Sequence, residues 1–388
     1  MIKPAIVAVG YNRPASMKRL LDSVCNAFYP VDGIDLIISI DKSDICDEVK
    51  QVADSVEWKY GNKTVRTFGE RQGLRKHVIQ CGDLSEKYEA VIILEDDLIV
   101  SPSYYSYTYN AVNYYTDDRI AGIALYSHGW NGYANTQFIP EKNEYDVFMG
   151  QFSITWGQCW TRKSWNSFKK WYSEHEDKLP NVNDKLPIGI SNWSKQSWGK
   201  YFISYMVETD KYYVIPYTSM TTNFAEIGQH NDRADSSHQV QLMLGVKKDY
   251  SFCEFEQAVK YDVFFERKYN DDYFIHGIEA SKICMDLNGI KPNTGNCQFV
   301  LIDRSMPLEL VTSFALRMHP VESNITMAIK GDDLYLYKCP NSNYPLPCDK
   351  LDVPAKRRNY ELYGTHWKAL LKEGISRFLI SLKRKFRK

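Results

Sequence analysis

The sequence predicts an α/β protein built on a mostly parallel sheet with helices on both faces. Three observations carry that prediction. Residues 4–9 (PAIVAV), 34–40 (IDLIISI) and 90–94 (AVIIL) are largely apolar runs of strand length, the pattern of strands buried on both faces. Segments with apolar residues at helical spacing separate them, which is the alternation of a parallel sheet. Each run also ends in a polar turn, "GYNRP", "DKSD" and "EDD" respectively. Functional loops in such sheets lie at the carboxyl ends of the strands, so all three turns are expected on one rim.

The elements follow in order. After "GYNRP", Met17, Leu20, Leu21 and Val24 mark the first helix. A helix is expected near 45–56, a short strand at 64–68, and a loop entering a helix at 71–82. Residues 104–118 read as a Tyr-rich helix and 120–126 (IAGIALY) as a strand. Residues 127–150 are polar and Gly/Asn-rich, so a long loop is expected there. Residues 151–172 combine a Gly turn with aromatic periodicity, and 180–195 read as a loop. A helix at 196–209 leads to the strand YYVIP at 212–216. Beyond 250 the pattern weakens, with strand-like stretches at 297–303 and 325–337 and a Pro-rich break at "CPNSNYPLPCDKLDVP". Three units are expected: 1–245 as the main domain, 246–354 as an extension, and 355–388 as a basic helical tail.

Composition narrows the class. The 388 residues, 44% hydrophobic and 25% charged, are those of a globular protein. Aromatics reach 14%, which serves either core packing or stacking against planar or sugar ligands. No stretch of about twenty apolar residues occurs, so no membrane-spanning helix is expected. Nine scattered Cys, with no C-x-x-C, read as free thiols of a reducing compartment. The opening "MIKPAIVAVGYNRP" runs straight into a strand, unlike a secretory signal, so a cytoplasmic location is expected.

Chemistry is concentrated at "VIILEDDLIV". Three adjacent carboxylates at the end of a core strand repel one another unless they are wetted at a turn or meet a positive partner. Mg²⁺ and Mn²⁺ prefer such oxygen ligands and are bound through one or two carboxylates plus substrate phosphates. Asp41, at the end of the second strand, fits either a ligand contact or the N-cap of the next helix. Arg13 and Arg71 offer positive charge to phosphates.

In combination, "PAIVAVGYNRPASMKRLLDSV", "LIISIDKSD", "ERQGLRKHVIQCGD" and "VIILEDDLIVSP" resemble the nucleotide-sugar-binding half of GT-A-fold glycosyltransferases. The resemblance is strongest to the N-acetylglucosaminyltransferase I group and related bacterial polysaccharide glycosyltransferases. "FSITWGQCWTRKSW" is similar to their Gly/Trp acceptor-side loop, and the match extends to about residue 240. It implies a GT-A, Rossmann-like domain that transfers a sugar, with UDP-sugar the expected donor, to a saccharide or lipid-linked oligosaccharide with inversion. It implies Mn²⁺ or Mg²⁺ as cofactor, with Asp97 and His230 as metal ligands. Arg13, Asp41, Arg71, Glu95 and Asp96 would lie at the nucleotide, and Trp156 and Gly157 in the loop under the donor sugar. An inverting transferase also needs a general base. Counting back from Pro216 reaches "SWGKY", where Gly199 and Lys200 stand and no acid does. Counting forward from Gly157 reaches Glu176 and Asp177, and Asp184 and Glu226 are further base candidates. Two other readings stay open: a sugar-phosphate nucleotidyltransferase, against which the single Gly of "GYNRPAS" counts, and a non-catalytic carbohydrate-binding protein on the same fold.

A neutral total hides a charge split. Residues 355–388 hold eleven Lys and Arg against two Glu, so the remainder carries a net nine negative charges. Trp367, Leu370, Leu371, Ile375, Phe378, Leu379, Leu382 and Phe386 recur at helical steps ahead of a cationic end. Such a helix suits an anionic membrane surface, here through residues 360–388 on the inner face of the cell membrane, or packs on the core with a solvated basic end. The acidic body argues against nucleic acid.

Overall fold

A computed structural model describes residues 1–178, 185–226, 238–348, 354–362 and 364–385. The chain begins with β1 (Ala5–Gly10), α1 (Pro14–Cys25), β2 (Leu36–Ile40), α2 (Cys46–Ser55), β3 (Lys63–Thr67), α3 (Leu74–Gly82), α4 (Ser85–Tyr88) and β4 (Ala90–Glu95). It continues through β5 (Leu98–Val100), α5 (Tyr104–Tyr114), β6 (Ile120–Ala124), β7 (Trp130–Asn131), β8 (Thr136–Gln137), β9 (Val147–Gly150) and β10 (Gln158–Thr161). Then come α6 (Arg162–Ser173), α7 (Ile188–Ser191), α8 (Trp198–Glu208), β11 (Tyr212–Pro216) and β12 (Thr221–Asn223). The later part holds β13 (Lys260–Tyr261), β14 (Arg267–Lys268), β15 (Phe274–Ile275), β16 (Ile278–Glu279), β17 (Ile283–Asp286), β18 (Phe299–Ile302), β19 (Glu309–Phe314), α9 (Ser323–Thr326) and β20 (Leu334–Lys338). It ends with α10 (Ala355–Glu361) and α11 (Trp367–Lys385).

Ten strands form the central sheet, in the order β14-β13-β9-β11-β6-β10-β4-β1-β2-β3. The β3-β2-β1-β4 half is parallel throughout, whereas β10 runs antiparallel between β4 and β6. Alternation along the strands sends Ile6, Ala8, Ile38 and Leu94 to one face and Val7, Val9, Ile37 and Ile93 to the other. Helices α1, α2 and α5 cover the first face, and α3, α6 and α8 the second. The α/β fold class expected from the sequence is therefore borne out, with helices on both faces. The aromatic excess largely fills this core: Trp160, Trp165 and Trp198 are fully buried, with ring centroids 4.6 Å and 5.4 Å from Trp160 to the other two.

Three expectations need correction. Residues 127–150 are not one loop. Their last four, VFMG, form the fully buried strand β9 between β11 and β13, too short to stand out by periodicity. The stretch 325–337 is not a single strand; it holds the end of α9 and the start of β20, separated by the turn at Gly331-Asp332-Asp333. Nor does the central sheet stop at residue 245, because β13 pairs with β9 and β14 with β13.

A four-stranded sheet, β17-β18-β20-β19, has its own apolar clusters on its two faces. The basic C-terminal segment divides in two. Helix α10 is docked: Arg357 is buried and ion-paired to Glu361 at 2.9 Å, and the Tyr360 ring stacks on His319 with centroids 4.1 Å apart. By contrast, every residue of 364–380 is exposed, so α11 does not pack on the core. No helix among the described residues is long and apolar enough to cross a membrane.

Candidate functional site

Register builds the site. Gly10 lies opposite Ile40, and Val9 opposite Glu95, so β1, β2 and β4 end side by side. The turns 10–13, 41–43 and 95–97 thus share one rim, as the sequence predicts. They enclose a pocket of about 200 Å³, which is closed by Arg71 and Gly73 on one side and by Asn223, Phe224 and Glu226 on the other.

"EDD" is the turn between β4 and β5. Asp96 is buried and is the hydrogen-bonded ion partner of Arg13, which stands at the start of α1. Burial pushes the Asp96 carboxyl up to about 6, against the pull of Arg13. Burial, then repulsion from Asp97 and Asp96, pushes Glu95 up to about 8, while the Trp198 side chain donates a hydrogen bond to it. Asp97 is raised as well, chiefly by burial. One oxygen on each acid (Glu95 Oε1, Asp96 Oδ2 and Asp97 Oδ1) is buried without a hydrogen-bond partner, and so is Asn223 Oδ1. Asn223 reaches the rim because β12 pairs antiparallel with β5, setting it opposite Leu98, and Phe224 N donates to the Asp97 carbonyl at 2.7 Å. Buried polar atoms are normally satisfied, so these four mark where water or a ligand would supply charge or hydrogen bonding.

Among the described residues, no three His, Cys, Asp or Glu side chains converge as a metal-binding group. Magnesium-like ions, however, usually take one or two protein carboxylates and complete their shell with phosphates and water. Unpartnered oxygens of Asp97 and its neighbours fit that mode.

Asp41 holds the opposite wall. Its carboxylate accepts backbone hydrogen bonds from Gln72 at 2.7 Å, Gly73 at 2.9 Å and Lys42 at 2.8 Å. It is not the N-cap of α2, which is Ile45. It fixes instead the turn that presents Arg71, whose guanidinium lies 5.0 Å from the Tyr11 ring centre. Gly73 has φ +77°, a backbone conformation that favours glycine. His77 lies beneath, 2.7 Å from Ser39 Oγ, and burial lowers its pKa to about 4, so it is a neutral imidazole near pH 7.

The Trp156-Gly157 loop arrives beside β4, because Gln158 pairs with Ile93. Gly157 has φ +100°, and a Cβ there would stand 2.9 Å from Thr221 Cγ2. Thr221 Oγ1 donates to the Trp156 carbonyl, and the Trp156 ring stacks on His238 with centroids 5.0 Å apart.

The base candidates fare differently. Glu226 lines the pocket, but Arg19 grips it with hydrogen bonds of 2.6 Å and 2.8 Å, and Ser16 Oγ donates a third at 2.6 Å. Those bonds lower its pKa, which makes it a weak proton acceptor. Asp177 is exposed and is not among the pocket's lining residues. Asp184 and His230 lie outside the described residues. His77, Trp198, Asn223 and His238 are the site residues that sequence reasoning missed.

A rim of partly unpartnered acids and two arginines thus stands at the ends of parallel strands. Residues 5–167, somewhat less than half of the chain, match the Glycosyl transferase family 2 model. No curated protein sequence matches. Among solved structures, S. aureus TarS 1–349 is 12% identical, with 56% of this chain and 59% of that chain covered and a TM-score of 0.34. Its complex with UDP-GlcNAc gives 12% identity, coverage of 58% and 60%, and a TM-score of 0.36. The mannosyltransferase PcManGT from Pyrobaculum calidifontis, in complex with GDP-Man and Mn²⁺, gives 14%, coverage of 44% and 47%, and 0.29. The chain thus spans about 60% of the TarS chains. At such scores these likenesses carry no argument about donor or metal.

Proposed function

We propose that this chain is a metal-dependent glycosyltransferase that moves a sugar from a nucleotide-sugar, a UDP-sugar in the first instance, to a saccharide hydroxyl with inversion. The observation that carries the reading is the set of unpartnered carboxylate oxygens at a pocket flanked by Arg13 and Arg71, within the family 2 domain. Asp97 is the principal candidate to hold Mn²⁺ or Mg²⁺, with Asn223 beside it and His230 the further ligand that the family resemblance implies. The cation would neutralise the diphosphate as the sugar leaves. Arg71, displayed by the Asp41-bound turn, suits a phosphate oxygen. Arg13 keeps Asp96 ionised and in place. Gly157 allows the Trp156 loop to lie under the sugar without a side chain in the way. We assign residues 1–245 with the β13–β14 hairpin to catalysis.

The acceptor reading rests on α11. Seven large apolar side chains (Trp367, Leu370, Leu371, Ile375, Phe378, Leu379 and Ile380) are 39–63% exposed on it. The sequence then ends in Lys and Arg. Such a helix supports peripheral attachment to an anionic membrane, on the cytoplasmic side, where a lipid-linked saccharide in polysaccharide synthesis would be held.

The test is donor turnover. UDP- and GDP-sugars are incubated with the full chain, with and without Mn²⁺, and released nucleotide is measured. Turnover that needs Mn²⁺ is expected. Absence of turnover on every donor overturns the enzyme reading. For the tail, flotation with phosphatidylglycerol vesicles compares the full chain with one ending at Leu362, which keeps α10 docked; equal binding overturns the membrane reading.

A further inference from the structure

The C-terminal sheet brings two thiols together. Cys284 lies on β17 and is 6% exposed. Thirteen residues later, Cys297 is half-buried just before β18, which pairs in parallel with β17. Cys297 packs against the apolar cluster that contains Cys284 and Cys339. Both thiols line a cleft of about 490 Å³ between this sheet and the edge of the central sheet, where Gln151, Asp262, Lys268 and Lys291 form the other walls. No disulfide is present among the nine cysteines. The pair therefore combines proximity, a buried partner and an open approach to one sulfur.

We propose that Cys284 and Cys297 form a redox-active dithiol that closes to a disulfide in the wall of this cleft. Cys297 is the attacking sulfur. Its hydrogen bond to Cys284, then the charge of Lys291, holds its thiol down to about 7, whereas the same hydrogen bond and burial push Cys284 up. With hydrogen peroxide as oxidant, the Cys297 thiolate forms an S–O bond as the O–O bond breaks, and hydroxide leaves to become water. The Cys284 sulfur then attacks the sulfenic sulfur. An S–S bond forms, the S–O bond breaks, and a second water leaves. Two thiols have lost two electrons and two protons, and peroxide has become two waters. The product ties the connection between β17 and β18 to the strand it leaves, and so fixes one wall of the cleft.

The experiment uses the full chain and does not depend on glycosyl transfer. Peroxide is added, remaining thiols are blocked with iodoacetamide, and the digest is read by mass spectrometry. A peptide cross-linked between Cys284 and Cys297, two hydrogens lighter and reversed by dithiothreitol, is expected. At pH 7, Cys297 should alkylate about tenfold faster than the likewise half-buried Cys25, whose thiol burial and Asp22 push up. In Cys284→Ser, dimedone should trap a sulfenic acid at Cys297; in Cys297→Ser, Cys284 should stay reduced. Direct passage of wild-type Cys297 to sulfinic acid without the cross-link overturns the proposal. So does alkylation of Cys25 and Cys297 at equal rates.

Discussion

Two groups of acids in this molecule have nearly the same composition and opposite fates. Glu95, Asp96 and Asp97 face Arg13 at the rim. Asp262, Glu266 and Asp286 face Lys291 where the β13–β14 hairpin meets β17. At the second site the chain supplies donors to one oxygen of each acid, although Glu266 Oε2 and Asp286 Oδ2 stay buried without a partner. Asp286 Oδ1 accepts from the Ile290 and Lys291 amides at 2.9 Å and 3.0 Å, and Glu266 Oε1 from Asn288 N at 2.8 Å. Asp262 takes the Phe264 and Glu266 amides as well as Lys291, at 2.7 Å. The rim acids leave one oxygen each without a partner, and they open on a pocket. The junction acids are tied to their own backbone and to Lys291 and join two sheets; the rim acids line a pocket.

Two substitutions should break that distinction most sharply. Asp97→Asn should lower donor turnover by about 10²–10³-fold while leaving the denaturation midpoint within a degree or two, as loss of one charge-stabilising group does. Steady-state nucleotide release and thermal melting check both halves. A large fall in stability with turnover intact would make the rim structural. Lys291→Met should do the reverse. It leaves three acids without their cation and should cost about 3 kcal/mol of stability, read by urea denaturation, with turnover at low temperature little changed.

The rim was legible in the sequence because apolar strands that end abruptly in polar turns identify their own carboxyl ends. What those turns do to one another was not. Asp41 stands where expected, yet its oxygens serve amides thirty residues on, a contact that no local pattern encodes. Asn223 hides in a three-residue strand, and Trp198, the donor to Glu95, occupies the very segment where an acid was sought. His77 sits inside a helix pattern. The C-terminal sheet was nearly illegible: its strands are short and irregular, and Cys284 and Cys297 meet only through parallel pairing of β17 with β18. The two base candidates that are described show the same limit, since spacing brings Glu226 to the pocket without revealing that Arg19 already holds it.

Gly157→Ala offers a smaller test of the rim alone. The residue combines φ +100° with a Cβ position 2.9 Å from Thr221, so the change should destabilise the protein by about 2 kcal/mol. It should also raise the KM for donor, because the displaced loop carries Trp156. The junction acids should not respond, and an unchanged KM would place the Trp156 loop away from the donor.

The last prediction separates the two groups by pH. Folded-state carboxyls at about 8 for Glu95 and about 6 for Asp96 and Asp286 lie above the ordinary unfolded values near 4. A folded pKa above the unfolded one means that the native state binds more protons. The associated stability is fully present below about pH 4 and is lost as pH rises through 6 and then 8. Melting temperature should therefore fall between pH 5 and pH 8.5 without metal. Mn²⁺ competes with those protons only at the rim. At ten times its dissociation constant it should restore about 1.4 kcal/mol at pH 8. The restoration should vanish in Asp97→Asn, while the share of the pH drop that belongs to Asp286 persists with or without Mn²⁺. If Mn²⁺ stabilises Asp97→Asn as much as the wild type, the cation binds elsewhere and the contrast between a pocket-facing and a junction acid group fails.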